Sequence, residues 1–262
     1  MNNTPSRNTV LPRENRQIVL KSRPLGIPQA EHFAEVRTAI PELRAGEFLV
    51  RNEFLSIDPA MRGWANLAAN YAAPVGIGEV MRSFAAGMVI ASRHSAYQEG
   101  DQVMGMLGWQ EYAVTDGKPV RRKILEADLP LSLSLGILGL NGVTAYFALT
   151  EVGEPRPGDT VAVSTAAGAV GSAVGQIAKI AGCRTIGITG GPAKVQQCLD
   201  AFGYDAAVDY KDPNLQAAFA AACPNGVDVY FDNTSGAISD TVISRINKGA
   251  RIVICGTASV AS

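Results

Sequence analysis

The sequence predicts an α/β protein in two parts: a β-rich part, read as a small barrel or sandwich, followed by a doubly wound parallel sheet. Three observations carry this. Residues 17 to about 125 hold short runs of strand formers separated by turn signals. From about residue 126, short apolar runs alternate with stretches of helical composition. A small-residue turn containing two glycines joins the first of those apolar runs to its helix.

In the first part the strand-like runs are residues 17–21, 47–53, 87–91 and 111–115. Turns are marked at Arg44-Ala-Gly46, Glu99-Gly-Asp101 and Thr115-Asp-Gly117. Residues before about 16 are polar, lack the apolar segment of a signal peptide and read as a disordered lead-in. In the second part a helix is expected over 133–150 and a turn at Pro157-Gly158-Asp159. Strands then follow at 160–164, 184–188, 206–209, 228–231 and 251–254, with helices at 170–181, 192–202, 215–222 and 238–246. Apolar strands alternating with helices form a parallel sheet covered on both faces, with right-handed crossovers. The chain stops eight residues after the fifth strand, one strand and one helix short of the usual doubly wound dinucleotide domain.

Composition removes several classes of function. At 47% hydrophobic and 18% charged the chain is not a disordered one. Lys and Arg number 23 against 24 Asp and Glu, so no basic excess exists to hold a phosphate backbone, and no nucleic acid partner is expected. The longest apolar run, 131–140, is broken by Ser132, Ser134, Gly136 and Gly139 and is far short of the ~20 residues that cross a bilayer, so no membrane partner is expected. The four cysteines, Cys183, Cys198, Cys223 and Cys255, show no CxxC spacing and argue against disulfides and structural zinc. A cytoplasmic location is the default expectation.

The chemistry-bearing segment is 160–171: a strand, the turn Ala166-x-Gly168-x-x-Gly171 and a helix start. Gly168 lets the backbone approach a pyrophosphate, and Gly171 lets the helix pack on the strand. The helix N-terminus offers free N–H groups and a partial positive charge. An ordinary βα turn with small residues is the alternative, and the flanking strands and helix favour the nucleotide. The second strand ends in Ile188-Thr-Gly190-Gly191-Pro192-Ala-Lys194, with no carboxylate at its tip. Room at Gly190 and Gly191 and a charge at Lys194 suit a 2′-phosphate, so NADP(H) is favoured over NAD(H).

With these residues in hand, the chain resembles the medium-chain dehydrogenase/reductase superfamily. Within it, the chain is similar to the zinc-independent branch of prostaglandin (leukotriene B4) reductases, alkenal double-bond reductases and curcumin reductase. The resemblance covers most of residues 17–262. Its carrying stretches are Leu55-Ser-Ile-Asp-Pro-Ala-Met-Arg62, Ile77-Gly-Glu-Val-Met81, Leu140-Asn-Gly-Val-Thr-Ala-Tyr-Phe147, Ala166-Ala-Gly-Ala-Val-Gly171, Tyr230-Phe-Asp-Asn233 and Ile254-Cys-Gly256.

The resemblance implies a GroES-like barrel domain over 1–128 and an NADP-binding Rossmann domain over 129–262, with the active site in the cleft between them. It places Gly168, Ala169, Val170 and Gly171 on the pyrophosphate, and Lys194 and Tyr210 on the 2′-phosphate. Asn233, Cys255, Gly256, Thr257 and Ser259 line the cofactor. Zinc members take Cys and His ligands from the barrel domain; this chain has no Cys before 183, and its histidines are only His32 and His94. No metal is therefore expected.

The implied reaction is hydride transfer from NADPH to the β-carbon of an α,β-unsaturated ketone or aldehyde. Tyr71 matches a substrate-contacting tyrosine. A tyrosine that members commonly carry after the Cys-Gly of the fifth strand is Ala261 here, so the catalytic acid stays unassigned. Members run several tens of residues further, adding a sixth strand that in many pairs across a homodimer. The chain is thus expected to be a fragment of a homodimeric protein. A quinone reductase with the same cofactor site, and a non-catalytic NADPH-binding sensor or structural protein, remain as alternatives. RNA binding is a lower option, which the neutral charge argues against.

Overall fold

Short runs of strand formers bounded by turns organise the N-terminal half into strands. The computed structural model of the chain describes residues 12–67 and 72–257. They fall into two compact units that divide between Leu135 and Gly136. In the first, β1 (Glu14–Leu20) and β2 (Phe33–Ala39) form an antiparallel pair. β3 (Phe48–Leu55) is followed by the short helix α1 (Ala60–Trp64), then β4 (Ala85–Ser92), β5 (Gln102–Gly105), β6 (Tyr112–Thr115) and β7 (Val120–Ile124). These five strands make an antiparallel sheet in the order β6-β3-β4-β5-β7. Backbone bonds tie β1 to this layer: Ile18 N–H donates to Trp109 O, Leu20 N–H to Glu79 O, and Glu111 N–H to Arg16 O. Within the five-stranded sheet Phe48, Val50, Ala85, Val89, Val103 and Ala113 pack together as a buried apolar cluster.

The turns read from sequence are present, with Gly46, Gly100 and Gly117 all in the left-handed region. The inner end of the expected lead-in is corrected: β1 begins at Glu14, and Glu14, Asn15 and Arg16 pair with Ala39, Thr38 and Arg37, while residues 1–11 lie outside the described residues. Asn15 is buried, and its Nδ2 donates to Tyr112 O and Gln110 Oε1. A polar residue satisfied inside the fold looks like solvent-facing chain when read alone.

In the second unit α2 (Leu140–Phe147) leads into β8 (Thr160–Ser164), α3 (Ala169–Ile180), β9 (Arg184–Thr189), α4 (Pro192–Asp200) and β10 (Ala206–Asp209). Then come α5 (Leu215–Ala222), β11 (Val227–Asp232), α6 (Ala237–Ile243) and β12 (Ile246–Ile254). The sheet is wholly parallel, in the order β10-β9-β8-β11-β12. Successive residues of its strands serve opposite faces. Val161, Val163, Val229 and Phe231 meet Ala145, Leu149, Ala173, Val174 and Cys198 on one face. Ala162, Ile188, Val208 and Tyr230 meet Phe219 and Val242 on the other. This is the doubly wound arrangement the sequence predicts.

Two expectations are corrected here. The helix expected over 133–150 is three pieces: a 3-10 turn at Leu131–Leu135, α2, and a π turn at Ala148–Gly153. The break lies at Gly136 and Gly139, where Gly142 N–H donates to Gly136 O and the chain doubles back. A Cβ on Gly142 would lie 1.8 Å from Ile137 O. The helix expected over 238–246 ends at Ile243, and β12 starts at Ile246 rather than Arg251. A register irregularity between Val227 and Val229 of β11 takes up the extra residues of β12, with Gly249 in the left-handed region. No helix among the described residues is long and apolar enough to cross a membrane.

Candidate nucleotide-binding site

The strand order reverses between β8 and β11, and in such sheets ligands bind at that crevice, beyond the carboxyl ends of the strands. The turn after β8 fits an anion there. Thr165 takes a left-handed conformation (φ +53°), Ala166 N–H donates to Ile188 O at 3.1 Å, and Gly168 N–H closes back on Thr165 O at 2.8 Å. Ala166, in place of the first glycine of the pattern, is fully buried against the core, which is why a methyl is tolerated. A Cβ on Gly168 would stand 2.8 Å from Thr165 Cγ2, and one on Gly171 would stand 2.2 Å from Thr165 O and 2.9 Å from Ala166 Cα. Gly171 is therefore required for α3 to sit this close to β8, and Gly168 keeps the turn clear of Thr165.

Gly168, extended, is the N-cap of α3, and no side chain caps the helix. The amides of Ala169, Val170 and Gly171 thus open the helix with their N–H groups directed outward, at the positive end of its dipole. Tyr204, which sequence reasoning missed, braces this helix from behind. Its OH donates to Gly171 O at 2.7 Å, and its ring fills the space a Cβ on Gly175 would occupy, 2.3 Å from that position. Burial holds its phenol far above the ordinary value.

Beside this turn lie the tips of β9 and β10. Gly191 caps α4 at φ +88°, Pro192 occupies the first turn, and exposed Lys194 follows. Tyr210 N–H donates to Thr189 O at 2.9 Å, and a Cβ on Gly190 would meet the Tyr210 ring at 2.7 Å. The fold thus gathers Gly190, Lys194 and Tyr210 at one rim of the sheet.

On the other side of the crevice Asn233 locks β11 to β8. Its N–H donates to Ser164 Oγ at 2.8 Å and its Nδ2 to Ser164 O at 2.7 Å. Cys255 and Gly256 N–H both donate to Asp232 O, at 2.8 and 3.1 Å, which brings the end of β12 alongside. Thr257 follows, exposed. Burial pushes the half-buried Cys255 thiol up from its ordinary value. Tyr71, Ser259 and Ala261 lie outside the described residues.

Sequence reasoning also missed Asp232, which is 4% exposed. Its Oδ1 accepts from Ser164 Oγ, the Tyr230 OH and the N–H groups of Thr234 and Ser235, and its Oδ2 from Ser239 Oγ at 2.6 Å. Burial would raise this carboxyl, but the bonds from Ser235, Ser239 and Thr234 outweigh it and hold the group below the ordinary carboxylate value. The same burial pushes Tyr230 up to about 12. The signal available in sequence was an acid closing an apolar strand, Tyr230-Phe-Asp-Asn233.

Comparison with known proteins agrees with this geometry. Residues 16–122 match a family described as the N-terminal domain of oxidoreductase, and residues 169–262 one described as zinc-binding dehydrogenase. The chain is 39% identical over 245 residues to the NADPH-dependent curcumin reductase of Escherichia coli, covering 94% of this chain and 71% of the relative. The chain belongs to the medium-chain dehydrogenase/reductase family, in its zinc-independent branch. Another relative within this family is the NADP(+)-dependent 2-alkenal reductase of Nicotiana tabacum, 37% identical, with 94% of this chain and 73% of the relative covered. Among solved structures, CurA from Vibrio vulnificus in complex with NADPH superimposes with a TM-score of 0.89 at 44% identity, covering 94% of this chain and 73% of CurA.

Zinc, carried in the description of one matched family, does not fit the donors this medium-chain member has. The unit that supplies zinc ligands in the resemblance contains no cysteine. The Nδ1 atoms of His32 and His94 accept the N–H groups of Gln29 and Ala96. Among the described residues no three His, Cys, Asp or Glu side chains gather as a ligand set.

Proposed function

We propose that the chain is the barrel and nucleotide-binding part of an NADPH-dependent reductase that saturates the C=C bond of α,β-unsaturated ketones and aldehydes. The observation that carries this reading is the uncapped start of α3, held against β8 by Gly168 and Gly171 at the point where the strand order reverses. Curcumin and 2-alkenals, named in two relatives, are both conjugated carbonyl compounds. When bound, NADPH supplies the hydride.

The residues of the chain bind and orient. The amides of Ala169, Val170 and Gly171 donate to the pyrophosphate, and Gly168 lets it approach. Lys194 and Tyr210, with room made by Gly190, take the 2′-phosphate. Asn233, Cys255, Gly256, Thr257 and Ser259 line the nicotinamide end. Tyr71 is the candidate substrate contact. Ala261 offers no hydroxyl to the enolate oxygen, so the proton that completes the reaction comes from another donor or from water. Residues 1–128 are the barrel domain and 129–262 the nucleotide domain, and the protein works as a cytoplasmic homodimer.

The test follows NADPH oxidation at 340 nm with a simple enone, with a quinone and with no acceptor, alongside calorimetric NADPH binding. Turnover of the enone is expected. Turnover of the quinone alone would replace the substrate class, and binding without turnover would support a sensor. Absence of binding would overturn the reading.

A further inference from the structure

The cofactor reading leaves Asp209 and Lys211, at the tips of β9 and β10, without a role. Asp209 ends β10 in register with Thr189 of β9. Its Oδ1 accepts two backbone N–H groups, that of Gly191 at 2.9 Å and that of Lys211 at 2.9 Å. One carboxylate therefore laces together two turns that belong to different crossovers. Between them lies Tyr210, its ring against Gly190 and its N–H on Thr189 O. The N–H bonds from Gly191 and Lys211 also hold the Asp209 carboxyl below its ordinary value, so it is an anion whose acceptor atom is directed into the backbone.

Lys211 Nζ stands 5.9 Å from the centre of the Tyr210 ring. The lysines that form ion pairs among the described residues are Lys118, Lys123 and Lys179. Lys194 and Lys211, both exposed, are thus available to a solute. Asp209 is turned into the backbone and exposed Asp212 follows in the same turn, so the carboxylates balance the ammonium groups in number; Lys194 and Lys211 are the exposed cations that a dianion on the ribose would meet.

We infer that Asp209 is a positioning residue of the 2′-phosphate subsite and that Lys211 is its second cation, beside Lys194. The inference rests on the NADPH reading above.

Calorimetric titration of the full 262-residue chain with adenosine 2′,5′-bisphosphate and with 5′-AMP tests it without any turnover. Lys211→Ala is expected to weaken the bisphosphate about tenfold, as loss of a charge-assisted contact does, while 5′-AMP changes less than twofold. Asp209→Ala is expected to lower the bisphosphate-to-AMP ratio to a similar extent. Asp209→Asn keeps an Oδ1 that accepts N–H bonds, and is expected to hold the ratio at or above wild type. A purely structural role would weaken both ligands together and leave the ratio unmoved. An unchanged ratio in Asp209→Ala, a lost ratio in Asp209→Asn or wild-type bisphosphate affinity in Lys211→Ala overturns the inference. Should Asp209→Ala not fold, the other two variants decide. A wild-type chain that binds the bisphosphate no better than 5′-AMP would overturn the NADPH reading itself, a different result from a wild-type preference that the variants fail to move.

Discussion

Replacing Gly171 by alanine probes how closely α3 must lie on β8. The new Cβ would stand 2.2 Å from Thr165 O and 2.9 Å from Ala166 Cα. Both are backbone atoms, so no side-chain rotation relieves the clash. Ordinary contact requires α3 to retreat by roughly 1 Å. That retreat stretches the 2.7 Å bond from Tyr204 OH to Gly171 O and opens the packing of Ala173, Val174 and Ala178 on Val161 and Val163. Overpacking of this kind costs about 1–3 kcal/mol. In a protein of this size about 2 kcal/mol lowers Tm by roughly 5 °C. Affinity for NADPH is expected to fall as well, by about tenfold or more, because the three leading amides of α3 move away from the pyrophosphate they are proposed to hold. Thermal melts by circular dichroism read the first effect, and NADPH fluorescence titration the second. A variant with wild-type Tm and wild-type affinity would show that α3 is not seated on the strand in this way and would remove the basis of the phosphate site.

Other expectations concern the rest of the crevice. Asp232→Ala removes the acceptor shared by Ser164, Tyr230, Thr234, Ser235 and Ser239 and is expected to destabilise by about 3 kcal/mol or more, read by urea titration. Because the folded carboxyl lies below its unfolded value of about 3.9, its stabilisation is complete above that pH and is lost as pH falls through the folded value. Melts between pH 2 and 6 should therefore show a steeper acid limb for wild type than for Asp232→Asn, and parallel limbs would contradict the assignment. Cys198 and Cys223, both pushed up to about 11 by burial, should resist a thiol reagent at pH 8 until denaturant is added; rapid native labelling of either would contradict the core packing. Lys194→Ala is expected to lower the preference for NADPH over NADH about tenfold, and an unchanged preference would remove Lys194 from the site.

How far the sequence could be read depended on what each element buries. In the second unit β8, β10 and α5 fall on the residues expected; β8 is a continuous apolar run because it is buried on both faces, and turn formers bound all three. In the first unit β2, β5 and β7 escaped notice. β2 is mostly exposed, β5 has four residues, and β7 reads Val-Arg-Arg-Lys-Ile, a composition that does not announce a strand. The glycine turn was legible because its requirement is local. Asp232, Tyr204 and Asp209 were not, since each acts through a partner brought near by the fold, as in the contact of Asp232 with Ser164, 68 residues earlier. Residues 247–250 fall between the expected helix and strand, with Asn247 and Gly249 poor strand formers, yet pairing of Ile246 and Arg251 with β11 encloses them in β12.

The separation between Ser164 and Asp232 also bears on the order of assembly. β8, β9 and β10 neighbour one another in chain order, so they can zip together as each emerges. β11 must reach the opposite flank of β8, past both, and of the strand pairings in this half that closure spans the longest stretch of chain. Without β11, the glycine bend would stand at the rim of a three-stranded sheet with nothing opposite it. A crevice able to hold a dinucleotide therefore requires β11 in place, and uptake of the ligand during refolding is expected to report the insertion of that single strand.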